Sequence, residues 1–202
     1  MSKSSSFLSK TEIMDAAEQT LRRFGPDKTS VTDVAKLLGV SHGTLYRHFP
    51  SKAALREAVT ERWLEEQIVV PLEQIVKAPA DNALAQLKVY IARLIELKRH
   101  YAQQDSEMFK MYTDVTMEAA ELIEVHIQRI MEQMGILIAR GIQQKRIAQR
   151  AETKSLARSL FHATSRFHHP AHAHDWRSVS IEQEFEQLWL FLEHGLAASQ
   201  HS

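Results

Sequence analysis

The sequence predicts an all-α protein, and two observations carry this prediction. Apolar residues recur with the 3.6-residue period of a helix in every long segment, and no segment shows the two-residue alternation of a half-buried strand. The 202 residues include only 6 glycines and 5 prolines, which are too few for a sandwich or barrel with many turns. The length allows one generous domain or two small ones.

The first helix is predicted to begin near Ser9 and to end at Gly25-Pro26. Ser9 and Glu12 have the spacing of a capping box, in which each side chain accepts a hydrogen bond from a free backbone N–H of the first turn. Apolar residues from Ile13 to Phe24 then repeat at helical spacing, and a glycine followed by a proline is a strong stop signal.

Residues 31–50 predict two short helices joined by a tight turn. Ser30 can cap the first helix, and Gly39 follows its last apolar residue, where a left-handed backbone costs glycine little. Ser41 can cap the second helix, which is expected to run to Phe49. The exposed face of this second helix is rich in hydrogen-bond donors and nearly free of carboxylates. Such a surface is suited to the DNA major groove.

A fourth helix is predicted from about Ser51 to Val76, with a disturbance at Pro71. Proline removes a backbone donor and clashes with the preceding turn, so we expect a kink or a break near residues 69–71. The apolar period predicts the later helices at residues 84–98, 108–112, 114–146, 152–168 and 181–199.

Charge is unevenly distributed along the chain, although its formal net value is zero. Residues 1–52 carry eight Lys and Arg against five Asp and Glu, whereas residues 53–202 carry 17 against 20. The basic excess therefore coincides with the predicted helix–turn–helix, which favours a nucleic-acid partner.

Several function classes find no support in the sequence. There is no cysteine, which excludes disulfides and thiolate chemistry. No phosphate-binding glycine loop, HExxH motif or nucleophile elbow is present, so we predict neither an enzyme nor a bound cofactor. No apolar run has the length of a signal peptide or of a membrane span, so we expect a cytoplasmic protein.

A set of residues around the predicted helix–turn–helix stands at fixed spacing without gaps: Thr29, Val34-Ala35, Gly39-Val40-Ser41, Gly43-Thr44-Leu45-Tyr46, His48-Phe49 and Ser51-Lys52. This pattern resembles the DNA-binding segment of the tetracycline-repressor (TetR) family of bacterial regulators. The resemblance covers about the first 60 residues. It implies a DNA-binding domain at 9–62, with the helix–turn–helix at about 31–50, and a helical effector-binding and dimerisation domain at 63–199.

The resemblance also implies nine candidate DNA contacts. By position, they are Ser41, Gly43 and Thr44 at the start of the recognition helix, Thr29, Tyr46 and Lys52 at the phosphate backbone, and His42, Arg47 and His48 on the exposed helix face. Arg47 and His42 occupy variable positions and are our candidates for reading bases, since arginine paired with guanine is the commonest specific contact. His48 is partly structural, because its neighbour Phe49 is expected in the core.

The final helix is apolar over an arc wider than packing on its own core requires. We therefore predict a four-helix interface between two copies of the chain, as the resemblance also implies. Its candidate residues are Leu156, Leu160, Phe167, Phe185, Leu188, Trp189 and Leu192. The alternative is a monomer in which this helix is deeply buried.

Six residues of the second domain are candidates for the lining of a ligand pocket: Met108, Met111, Tyr112, His126, Met134 and His162. Methionine fills irregular space, so the group can form an adaptable cavity. Two alternatives stay open: the methionines plug the core, and His126 is a hydrogen-bonded core histidine.

Five histidines fall within 13 residues: His162, His168, His169, His172 and His174. Neutral imidazoles suit Zn, Cu, Ni or Fe, but a metal site needs ligands that converge in space. A polar connector between the last two helices explains the same residues, so no metal ligand is predicted.

Together these observations predict a homodimeric, ligand-responsive transcription regulator. Its most direct form is a repressor that leaves a palindromic operator when a small molecule binds the second domain. The alternative is a metal-responsive regulator or metalloprotein that uses the histidine-rich segment 162–174. A ligand-free helical adaptor is a further possibility.

Overall fold

The computed structural model describes residues 8–198, which form eleven α-helices and contain no β-strand. The α-helices are α1 (Lys10–Phe24), α2 (Val31–Leu38), α3 (His42–His48), α4 (Lys52–Leu64), α5 (Val70–Lys77), α6 (Ala83–Gln104), α7 (Ser106–Glu118), α8 (Ala120–Gln143), α9 (Thr153–Ala163), α10 (Ser165–His168) and α11 (Ile181–Leu196). The all-α prediction is confirmed. The predicted end of the last helix, Ser199, lies outside the described residues, and α11 ends at Leu196.

The predicted caps of the N-terminal helices are present. Ser9 and Glu12 form the capping box of α1, and Ser30 and Asp33 form a second capping box on α2. Gly39 ends α2 in the left-handed conformation, with φ 65° and ψ 30°. Ser41 caps α3, so these short helices begin and end where local side-chain chemistry satisfies their free backbone groups.

A kink or a break was predicted near residues 69–71; the helix continues through Pro71, so the break is excluded. One π-helical turn, Glu65–Val69, joins α4 to α5, and Pro71 lies at the first turn of α5. A regular α-helix tolerates proline only in its first turn, because the ring clashes with the preceding turn and the N–H is missing. The wider π-helical turn before Pro71 accommodates both effects. The sequence located this disturbance but did not predict its form.

Two further boundaries differ from the sequence prediction. The predicted long helix 114–146 is interrupted at Ala119, whose backbone leaves the helical region at φ −130° and ψ 61°. The short piece predicted at 108–112 is thereby extended into the whole of α7. Likewise Thr164 separates α9 from α10, and its hydroxyl donates back to the Leu160 carbonyl at 2.9 Å. Neither position carries a glycine or proline, so no local signal marks these interruptions.

One apolar core extends through the whole described chain. The helices α1 to α3 pack on residues such as Ile13, Val34 and Leu45, which are fully or almost fully buried. The helix α8 lies between α6 and α9, while α7 contacts α1 and α4 as well as α6 and α8. The helix α7 therefore touches both the N-terminal helices α1 and α4 and the later helices α6 and α8.

Two glycines of α8 provide a matched test of this packing. A Cβ at Gly141 would lie 2.5 Å from Cδ1 of Ile147, whereas a Cβ at Gly135 would lie 3.8 Å from Cγ2 of Thr153. We expect Gly141→Ala to lower the free energy of unfolding by about 1–3 kcal/mol through overpacking. Gly135→Ala should raise it by roughly 0.5–1 kcal/mol, because alanine favours the helix. Urea unfolding measures both, and equal effects at the two sites would contradict the described packing.

Candidate nucleic-acid interface and internal cavity

The helix α3 is held by two buried side chains and presents its other faces to solvent. Leu45 and Phe49 lie in the core, with Phe49 as the C-cap residue. The candidate contacts His42, Gly43 and Arg47 are exposed, and half of the Tyr46 surface is accessible. No acidic residue occurs in α3, so its outer surface offers donors without a competing carboxylate.

Hydroxyl groups organise the first turn of α3. The Ser41 side chain accepts from the Thr44 backbone N–H at 3.3 Å, and the two side-chain oxygens lie 3.0 Å apart. Arg47 extends back toward the same hydroxyl, with its Nη2 at 3.5 Å from Thr44 Oγ1. Thr44 and His48 are half-buried. The predicted recognition residues are thus brought together on one short helix.

Thr29 is the exception among the nine candidates. Only 6% of it is exposed, and its hydroxyl donates to the Gly25 carbonyl at 2.8 Å. Its side chain closes the loop before α2 and does not offer a free donor to phosphate. Exposed Lys52 begins α4, and two further exposed lysines, Lys28 and Lys36, lie in the same helical unit. These two lysines belong to the basic excess of residues 1–52 but are not among the nine candidates.

A cavity of about 30 Å³ lies between α4, α6, α7, α8 and the α9–α10 segment. Most of its wall is apolar: Leu64, Leu94, Ile123, Ile127, Ile130 and Phe161. The polar groups at its wall are Lys98, Tyr112, Thr116, His126, His168 and His169. An apolar chamber with a few converging polar groups is typical of a small-molecule site.

Lys98 is the most unusual residue of this cavity, and the sequence analysis did not select it as a site residue. Only 4% of it is exposed, and its Nζ lies 3.9 Å from the ring centroid of Tyr112. Burial lowers the pKa of Lys98 to about 7, because an ammonium group is poorly solvated there. Its position in the sequence is a signal of burial, because Lys98 follows Leu94 by four residues and therefore lies on the apolar face of α6.

The candidate pocket residues divide into three groups. Tyr112 and His126 line the cavity, and His126 Nδ1 lies 3.2 Å from the Leu122 carbonyl oxygen. The three methionines, Met108, Met111 and Met134, are fully buried away from the cavity wall. His162 is exposed on α9. The methionines thus fill the core.

The histidine-rich segment does not converge on one point. His168 is buried, with Nε2 at 3.2 Å from Thr164 Oγ1 and 3.3 Å from the Phe161 carbonyl oxygen. His162 and His174 are exposed, while His169 is half-buried. Within residues 8–198 no group of three or more His, Asp or Glu side chains is placed to hold a metal ion.

The helix α7 connects the cavity wall to the N-terminal helices. Tyr112 lines the cavity and packs on Trp63 of α4, with ring centroids 5.6 Å apart. On another face, α7 forms ion pairs with α4 and with the turn after α1: Asp114 with Arg56 at 3.5 Å, Glu118 with Arg56 at 3.5 Å, and Lys110 with Asp27. Ion pairs that remain partly accessible to solvent contribute little stability, so the aromatic packing is the stronger part of this contact.

The seven candidate dimer residues lie on α9, α10 and α11. Four of the seven are buried within the protomer: Leu160, Phe167, Phe185 and Trp189. Leu156, Leu188 and Leu192 remain partly accessible. Beside them Phe191 is 79% exposed, although it was not among the seven. The free apolar surface of α11 therefore centres on Phe191.

None of the helices in the described part of the chain is both long and apolar enough to cross a bilayer.

Two family models match the chain. The C-terminal domain of tetracycline-repressor-like proteins matches residues 83–189, which are more than half of the sequence. The model of bacterial regulatory proteins of the tetR family matches residues 13–59, which include α2 and α3.

Known proteins are similar over different shares of the chain. The nucleoid occlusion factor SlmA of Marinomonas sp. (strain MWYL1) is 27% identical over 141 residues, which are 69% of this chain and 68% of that protein. The transcriptional regulator RutR of Escherichia coli (strain K12) is 37% identical over 102 residues, which are 50% of this chain but only 46% of RutR.

Solved structures share the fold along almost the whole chain. SmeT, the repressor of the Stenotrophomonas maltophilia multidrug efflux pump SmeDEF, has a TM-score of 0.67 and 16% identity, covering 96% of this chain and 92% of its own. The regulator FadR from Bacillus subtilis, in complex with stearoyl-CoA, has a TM-score of 0.63 and 18% identity, covering 93% and 99%. At 16% and 18% identity, this similarity shows only that the chains share a fold.

We expect acid to destabilise the protein through His168. Burial lowers its folded-state pKa from 6.5 to about 3. Between about pH 6.5 and 3 the unfolded chain therefore binds a proton that the folded chain does not. The free energy of unfolding should fall with decreasing pH, by at most about 1.4 kcal/mol per pH unit from this group.

Urea unfolding at several pH values between neutrality and pH 5 measures this effect. His168→Gln removes the titrating group and should flatten the pH dependence, whereas His162→Gln, at an exposed position, should leave the wild-type slope. An unchanged slope in His168→Gln would contradict the assignment.

Proposed function

We propose that this chain, which belongs to the tetracycline-repressor (TetR) family of bacterial DNA-binding transcription regulators, is a homodimeric repressor released from a palindromic operator by a small molecule. Residues 9–62 would form the DNA-binding domain and residues 63–199 the effector and dimer domain. The observation that carries the proposal is the exposed face of α3, which presents donors without any carboxylate.

In this proposal α3 enters the major groove, whose width admits one helix. Arg47 and His42 reach base edges, while Ser41, Gly43 and Thr44 approach the backbone at the N-terminal end of α3. The phosphate contacts come from Tyr46, His48 and Lys52, with Lys28 and Lys36 as additional cations. Thr29 acts indirectly, because its hydroxyl bond to Gly25 fixes the loop that leads into α2.

Dimerisation would use the accessible apolar surface of α9 and α11. Phe191 supplies an exposed aromatic anchor between the partly accessible Leu188 and Leu192, and Leu156 extends the surface onto α9. A two-fold axis at this surface would place the same residues of both copies against each other. Two α3 helices would then face successive grooves, which explains the expectation of a palindromic site.

The effector would act through α4 and α7. Leu64 of α4 and Tyr112 of α7 both line the cavity, so a molecule that fills it displaces these two helices together. Three polar atoms of α4, Arg56 Nε, Thr60 Oγ1 and Trp63 Nε1, are buried without a hydrogen-bond partner within residues 8–198. Each such atom costs about 1–3 kcal/mol, so a second position of α4 in which these atoms are paired would regain part of that cost. The ligand must bind the two positions unequally to shift DNA affinity.

A second candidate is a chromosome-binding factor without an effector. The similarity to a nucleoid occlusion factor extends beyond the helix–turn–helix, and the cavity holds only about 30 Å³. Genome-wide mapping of bound sites separates the candidates. A repressor should occupy a few promoters, whereas a factor of the second kind should occupy many dispersed sites.

DNA recognition is tested with Arg47→Ala and Lys52→Ala. If Arg47 reads a base, its loss should weaken specific binding by about 1–3 kcal/mol and relax the preference at one position. Loss of Lys52 should weaken binding to all sequences alike and lower the salt slope by about 1. Fluorescence anisotropy at several salt concentrations measures both, with Arg93→Ala on α6 as the matched control. Wild-type behaviour of both test variants would contradict the proposed interface.

The dimer surface is tested with Phe191→Glu. A charge in the centre of the proposed apolar contact should convert the dimer to a monomer and weaken operator binding by at least about tenfold, because only one α3 can then bind. Val179→Glu places the same charge at another exposed apolar residue and should leave the dimer intact. Light scattering reports the mass, and a Phe191→Glu variant that remains dimeric would contradict this surface.

A further inference from the structure

The buried ammonium group of Lys98 has no anionic partner. Among the described residues 8–198 no carboxylate lies within ion-pair distance of it, and its nearest charge-stabilising contact is the face of Tyr112 at 3.9 Å. A buried lysine without a counter-ion is costly, because desolvation of its charge is not repaid by a Coulomb attraction. A cation–π contact offsets only about 2 kcal/mol of such a cost.

Every titratable group that shares the cavity with Lys98 is neutral or cationic. These groups are Tyr112 on α7, His126 on α8, His168 on α10 and His169 directly after α10. The remaining elements contribute apolar side chains, and Thr116 adds one hydroxyl. The cavity therefore has a site for one negative charge and a wall that suits hydrocarbon.

We propose that the effector is a small organic anion, a carboxylate on a short apolar body, whose charge pairs with Lys98 inside this cavity. The inference rests on the proposed function, since it assigns a ligand class to the effector site. Binding supplies the missing counter-ion and covers Leu94 and Ile127 with hydrocarbon. The free volume of about 30 Å³ accepts the head group, and the body enters as α4 and α7 separate.

Proton uptake should accompany binding. The pKa of Lys98 is lowered to about 7, so above neutral pH the free protein holds mostly the amine and must bind a proton to pair with a carboxylate. The apparent affinity should therefore fall by up to about tenfold per pH unit above pH 7. His168 stays neutral in this range because its pKa is lowered to about 3, so it does not contribute to the slope.

The test is calorimetric titration of the full chain with matched ligands. Benzoate and the straight-chain carboxylates from butanoate to decanoate are each compared with the corresponding neutral amide. We expect at least one carboxylate to bind about 10- to 100-fold more tightly than its amide, the range for a charge-assisted contact. Equal binding of acid and amide overturns the inference, as does the absence of any carboxylate binding at millimolar concentration.

Lys98→Met keeps the length and apolar stem of the side chain and removes its charge. Carboxylate affinity should fall about 10- to 100-fold and lose its dependence on pH above 7. The variant should also melt at a higher temperature than wild type, which shows that it is folded. Lys88→Met, on the outer face of the same helix, is the control and should bind as wild type does. Wild-type carboxylate binding by Lys98→Met refutes the role of Lys98.

Operator binding is measured separately on the same proteins. If wild type and Lys98→Met both bind operator and only wild type is released by the carboxylate, both proposals stand. If the carboxylate binds through Lys98 but no DNA is bound, the repressor proposal fails while the ligand class holds. If DNA is bound and no carboxylate releases it, the assignment of the ligand class to the effector site fails.

Discussion

The packing of Trp63 against Tyr112 is the contact on which the rest of the described arrangement depends. Trp63 belongs to α4, which continues from the helix–turn–helix, and Tyr112 belongs to α7, which lines the cavity. Their ring centroids are 5.6 Å apart, and Tyr101 of α6 completes the cluster at 5.2 Å from Trp63. Lys98 Nζ lies over the ring of Tyr112, so Tyr112 contacts both Lys98 at the cavity and Trp63 of α4. A change on either side of Tyr112 must be accommodated by this cluster, since closely packed interiors transmit displacement.

The interior of the protein contains buried polar groups that lower its stability and that a purely structural core would avoid. Within residues 8–198, the buried amino group of Lys98 has no counter-ion, and polar atoms of Arg56, Thr60 and Trp63 on α4 have no hydrogen-bond partner. Each lowers the stability of the described conformation relative to one in which it is paired. In the proposed effector mechanism, such groups would reduce the difference in free energy between two positions of α4, so that a few kcal/mol of differential ligand binding could shift the equilibrium.

Local chemistry explains which parts of the structure were predictable. The caps at Ser9, Ser30 and Ser41 and the helical periods depend on neighbours within four residues, so the sequence predicted the N-terminal helices and their exposed donors well. The interruptions at Ala119 and Thr164 carry no glycine or proline and are set by packing between distant helices, which single-sequence periodicity does not contain. The same holds for the cavity: residue type identified Tyr112 and His126 of its polar wall but not Lys98, and only three-dimensional packing distinguishes core methionines from wall residues.

The measurement that tests the central claim most directly is selection of bound duplexes from a random pool by the full chain, followed by mass measurement of the complex. A dimeric regulator that reads DNA through α3 should enrich one palindromic sequence, and the complex should contain two copies of the chain or a multiple of two. Binding to the enriched duplex should weaken steeply with salt. Failure to enrich any sequence, with protein shown to be folded, would contradict the account of α3 as a reading helix.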